Sequence, residues 1–194
     1  MRLGELLAPA PSRRWRRFGL PAPVAEAATR GEVAEILRGL PEGWFVFNEI
    51  PAAASGSMID HLVVGPGGAF AVTVADLGGQ VRLAGRSLTV DGVASARLSK
   101  AVLEARSVAR ALEAAGGRPV GVRPVVVVRC ADLSIVSAPP DVTVLRPGSI
   151  LRWLRTHPPV LSRATVAAVA RAAARPAAHA GSRSGSHARG ASQQ

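Results

Sequence analysis

One cysteine, one lysine, no tyrosine and no long hydrophobic run mark this 194-residue chain. A lone Cys130 excludes a disulfide framework and a thiolate zinc site, and it favours a reducing cytoplasm as the expected location. Cys130 follows an apolar run with no histidine near it in sequence, so it reads as a small apolar residue rather than a nucleophile. The longest apolar stretch, around residues 125–128, is strand-length, whereas a membrane-spanning helix needs about 20 residues. At the N-terminus the arginines follow a short apolar stretch, the reverse of a secretory signal. No membrane partner is expected.

What is present is apolar and basic. Hydrophobic residues make up 48% and charged residues 19%, a balance that supports a packed core. The formal net charge is +11, which invites a nucleic-acid partner through phosphate attraction. Its location tempers that reading, since residues 1–17 carry +4 and residues 175–194 carry +3, leaving about +4 for the centre. With Lys100 the single lysine among many arginines, alanines, glycines and prolines, the composition looks like that of a GC-rich bacterial genome.

Four segments follow. Residues 1–22, broken by prolines, form a flexible basic arm in which Arg13, Arg14, Arg16 and Arg17 surround Trp15. Residues 23–157 form the folded domain, residues 158–174 a C-terminal helix, and residues 175–194 a disordered tail without large apolar residues. Within the domain, Val24, Ala28, Val33, Ile36, Leu37 and Leu40 recur at helical spacing until Pro41 stops them. Residues 44–50, 58–64 and 69–74 read as strands, the last two joined by the turn Gly65-Pro66-Gly67-Gly68. Residues 87–92 add a short strand, and residues 96–115 return to helical spacing before Gly116. Residues 122–128 are apolar throughout, as a strand buried on both faces is. Short strands at 134–137 and 142–145 and a helix near 148–155 complete an α/β fold with a mixed sheet flanked by helices.

An acid in the middle of an apolar strand, Asp60 in Ile59-Asp60-His61, is costly unless it has a partner. By alternation His61 points to the opposite face, where it reads as a packing histidine. Together with the glycine turn, a Gly31-Glu32 helix, the run of residues 70–79 and a helix carrying Glu104-Ala105, this stretch resembles the nuclease-related domain (NERD) family over residues 30–155. That family belongs to the PD-(D/E)xK restriction-endonuclease-like superfamily. The resemblance implies a restriction-endonuclease-like core. It also implies a Mg²⁺ site in which an Asp on one strand meets an acid-x-Lys on the next, because residues i and i+2 share a strand face.

Carried over position by position, the resemblance implies that Glu32 is the helix acid and Asp60 the metal-binding carboxylate. The acid and lysine of the second strand fall on Thr73 and Ala75, so both are lost. The expectation is a degenerate nuclease that needs no cofactor and binds DNA, RNA or another protein. The alternative is an active Mg²⁺-dependent enzyme in which Lys100 and Glu104, one helical turn apart, supply the missing groups. A solvated i,i+4 ion pair explains that spacing equally, and a pure protein-interaction module remains a third reading.

Overall fold

A computed structural model describes residues 22–51, 58–116 and 119–181. The arginine arm, Arg13 to Arg17 included, and the last thirteen residues lie outside the described residues. α1 (Ala22–Arg38) ends where Gly39 turns back, its N–H 3.1 Å from the carbonyl of Ile36. Its buried positions are Ala25, Thr29, Val33 and Leu37, whereas Val24 and Ala28, expected inside, are exposed. The periodicity is helical as read, but the stripe is rotated in the first two turns so that Thr29 reaches Asp76.

The strands among the described residues are β1 (Phe45–Pro51), β2 (Met58–Gly65), β3 (Gly68–Asp76), β4 (Gln80–Ala84), β5 (Ser87–Val90), β6 (Val93–Ser95), β7 (Val122–Arg129), β8 (Asp132–Ser137) and β9 (Thr143–Leu145). They form two sheets rather than one. The larger, in order β1-β2-β3-β7-β9, is antiparallel through β1, β2 and β3 and parallel through β3, β7 and β9. The smaller, in order β6-β5-β4-β8, starts after Gly78 and Gly79 break the chain away from β3. The mixed α/β architecture, with helices flanking the main sheet, is the one a restriction-endonuclease-like core requires.

α1 and α3 (Ile150–Arg155), with Val33, Leu37, Ile150 and Leu154, cover one face of the main sheet through Val63, Phe70, Val72 and Val125. α2 (Arg97–Gly116) and α4 (Arg163–Gly181) cover the other through Ala105, Val108, Leu112, Val166 and Val169. With both faces covered, Val125 to Val128 are fully buried, the reason that strand is apolar at every position. Ser162 caps α4, its Oγ accepting the Thr165 N–H at 3.2 Å. α4 runs on to Gly181, beyond the expected boundary at Ala174.

The glycine turn has a packing cause. A Cβ on Gly65 would lie 2.2 Å from Cδ2 of Trp44, and one on Gly67 would lie 2.8 Å from Cβ of His157. The Pro66 carbonyl accepts the N–H groups of Val160 and Leu161 at 2.8 and 3.0 Å. Phe70, stacked on Trp44 and edge-on to Trp153 and His157, completes the cluster. The glycine turn therefore holds one end of the sheet together, and Asp60 stands toward the other end of β2. Among the described residues no helix is long and apolar enough to cross a membrane.

Candidate functional site

β2 and β3 are paired from Gly65↔Gly68 to His61↔Val72 and then diverge. Asp60 stands at that fork. Its Oδ2 accepts the backbone N–H of Val74 at 2.7 Å, supplying the partner the ladder no longer provides. Its Oδ1 lies 3.3 Å from Nη1 of Arg30 on α1. Both oxygens of the carboxylate are thus engaged, one of them with a fixed cation.

Glu104, on α2, is buried and accepts a hydrogen bond from Oγ1 of Thr73 at 3.2 Å. Lys100 stands one turn earlier with Nζ 3.6 Å from the other carboxylate oxygen. The pair is lopsided, an exposed ammonium reaching toward a buried carboxylate whose Oε1 has no hydrogen-bond partner. Ala75 points the same way as Thr73, its methyl packed in the cluster that contains Leu98 and Ala101 of α2. Where the family pattern has an acid and a lysine, this strand offers a hydroxyl and a methyl to the underside of α2.

Glu32 joins neither group. It ion-pairs with Arg129 at the end of β7. The sequence-derived set is thereby divided: Asp60 goes with Arg30, Thr73 with Glu104 and Lys100, and Glu32 with Arg129. Among the described residues no group of three or more His, Cys, Asp or Glu side chains is arranged to hold a metal ion. A Mg²⁺ ion seeks several converging oxygens with uncompensated negative charge. Here Asp60 is paired with Arg30 and Glu32 with Arg129, while Glu104, whose Oε1 is buried without a hydrogen-bond partner, stands apart from both, so these carboxylates do not converge on the ion that the nuclease fold implies.

Several residues that sequence patterns do not announce complete the site. Arg30 is the chief of them, and nothing in the spacing points to it, since its partner is 30 residues away on another element. Asp76, at the end of β3, accepts a hydrogen bond from Thr29 at 2.8 Å and faces α1. Burial raises its pKa above the ordinary carboxylate value. Alternation places His61 on the face opposite Asp60, yet both line one open cleft with Arg30, Gly31, Asn48 and Glu49. Alternation fails here because Glu49, across from Asp60, has φ of 54°, and Ile59 and Leu62 then pack in the same cluster although three residues apart. His61 is buried with Nδ1 2.8 Å from Oδ1 of Asn48. Burial, with the Arg30 guanidinium adding to it, lowers its pKa from 6.5 to about 4, so the ring is neutral at physiological pH. Cys130 is partly buried and its pKa is raised, chiefly by burial, which fits an unreactive thiol.

Against known families, residues 25–129 match the family model described as nuclease-related domain, NERD, a span of more than half the chain. No curated protein and no solved structure matches the chain.

Proposed function

The chain belongs to the nuclease-related domain family, and from that premise we propose that it is a catalytically silent nuclease-fold module that binds nucleic acid without cutting it. The observation that carries this reading is the Arg30–Asp60 contact at the β2–β3 fork. A guanidinium occupies the charge that a metal ion would neutralise, and, always protonated, it cannot activate a water as a metal ion does. Thr73 and Ala75 add to the deficit. A positioned charge that acts on the transition state is worth roughly 10²- to 10³-fold in rate, and this strand lacks two charged groups.

A second reading has an observation of its own. Glu104 reaches Thr73 and Lys100 reaches Glu104, so a carboxylate and an ammonium from α2 do stand beside the strand positions that lost their charges. They neutralise each other, however, and Asp60 is held on the α1 side of the fork.

Incubation of the full chain with plasmid, single-stranded DNA and RNA, in Mg²⁺ or Mn²⁺, separates the two. Wild type, Asp60→Ala and Lys100→Ala are expected to leave all substrates intact at matched enzyme concentration. Cutting by the wild type that disappears in both variants would establish the relocated nuclease and overturn the proposal.

A further inference from the structure

Of the six ion pairs among the described residues four stand at one end of the main sheet, while Arg38–Glu35 lies at the end of α1 and Arg86–Asp141 joins the end of β4 to the segment before β9. At the fork end Arg30, Arg97, Lys100 and Arg129 are each paired with a carboxylate, Asp60, Glu26, Glu104 and Glu32 respectively. Glu49 and Asp76 add further negative charge beside them. A phosphodiester approaching this end meets four cations that are already matched, carboxylates that repel it, and Arg146, exposed near Cys130, as a lone cation without an ion pair among the described residues.

The glycine-turn end is different. Arg123, at the start of β7, is exposed with its guanidinium 5.9 Å from the centre of the Phe70 ring. Arg152 and Arg155 are exposed on α3. Among the described residues none of these three has a carboxylate partner, and Arg155 donates only to the Gly39 carbonyl. Between them lie Trp153 and His157, half-buried and in edge contact with centroids 4.2 Å apart, both against Phe70. Unmatched guanidinium groups beside partly accessible aromatic rings are the combination that holds an unpaired strand, phosphates on the cations and bases on the rings.

We propose that the nucleic-acid contact surface of this protein is the glycine-turn end of the sheet, formed by Arg123, Arg152, Arg155, Trp153 and His157, and that it takes single-stranded DNA or RNA. The inference rests on the nucleic-acid reading above and moves the contact away from the fork where a nuclease of this fold would cut. The Arg13 to Arg17 segment lies outside the described residues and is present in every variant compared.

The test is fluorescence anisotropy with a labelled 20-nucleotide single strand, as DNA and as RNA, and with the matching duplex, over a series of salt concentrations. Wild-type full chain is compared with Arg123→Gln/Arg152→Gln, with Arg152→Gln alone, and with Lys100→Gln/Arg129→Gln, which removes the same charge at the fork end. Folding of each variant is checked by its melting curve. The turn-end double variant should lose about ten-fold or more in single-strand affinity at 0.1 M salt, and its log–log salt slope should fall by roughly 0.7 for each phosphate no longer neutralised. Arg152→Gln should give about half that change in slope, and the fork-end variant should bind within about three-fold of wild type. Equal losses in the two double variants, or unchanged binding by the turn-end variant, would overturn the placement. Tighter binding of the duplex would overturn the single-strand preference. Absence of binding by the wild type to any of the three would instead remove the nucleic-acid reading itself and favour a protein partner.

Discussion

Asp60 keeps a hydrogen-bond donor on each oxygen, and that double commitment is what separates a structural carboxylate from a reactive one. The residue is visible in the sequence because an acid between Ile59 and His61 in a strand demands a partner. Arg30 is not, since no local periodicity relates a helix surface to a strand end 30 residues later. His61 offers a test at this scale. Its pKa in the folded protein, about 4, lies below the ordinary 6.5, so the folded state binds the proton less well than the unfolded one. Stability from this group is full above pH 6.5 and is lost as pH falls toward 4, by roughly 3 kcal/mol over the whole window. Across urea midpoints measured at pH 7.5, 6.0 and 5.0, the wild type should lose stability relative to His61→Gln as the pH falls. Asp76, whose raised pKa acts with the opposite sign on acidification, is common to both proteins and cancels in the comparison. Parallel declines would assign the pH dependence to other groups.

The glycine turn shows how an element can be specified by what packs on it. A hairpin needs a positive φ at one position, and Gly68 supplies it at 131°. Gly65 and Gly67 answer a separate demand, the close approach of Trp44 and His157. Gly65→Ala should therefore destabilise the protein by about 1–3 kcal/mol, the usual range for forced overpacking. Gly31 is the contrasting case. It lies inside α1, and a methyl group there would meet nothing within 4 Å, so Gly31→Ala should stabilise by roughly 0.5–1 kcal/mol. Denaturant titration of both variants reads the two signs directly, and a stabilising Gly65→Ala would refute the packing account. The turn itself is legible from its residues. The aromatic cluster over it is not, because Trp44, Trp153 and His157 come from segments remote in sequence.

At the scale of the main sheet, four ion pairs gather at the fork, whereas Arg123, Arg152 and Arg155 at the turn have no carboxylate partner among the described residues. The same division governs linkage to metal ions. A protein that seats Mg²⁺ in its native state gains stability by mass action, and 5 mM ion over a site of roughly 0.5 mM affinity would add about 1.4 kcal/mol, or roughly 3–6 °C in a domain of this size. With Arg30 already on Asp60, melting in 5 mM MgCl₂ and in EDTA should agree within about 1 °C at constant ionic strength. A magnesium-dependent rise that disappears in Asp60→Ala would mean that the ion displaces the guanidinium.

Local chemistry determined much of this protein without reference to its fold. The spacing of apolar residues and the glycines and prolines between them set out most helices and strands, and the all-apolar β7 announced its two covered faces. Only the tertiary structure decided which carboxylate meets which cation, that the strands divide into two sheets, and that Asp60 meets α1 while Glu104, from α2, meets Thr73 on β3. Sequence periodicity reports the direction of a side chain from its own element, and it carries this information only while the element stays regular. At the β2–β3 fork the regularity ends, and the partners there are chosen by how whole helices lie across the sheet.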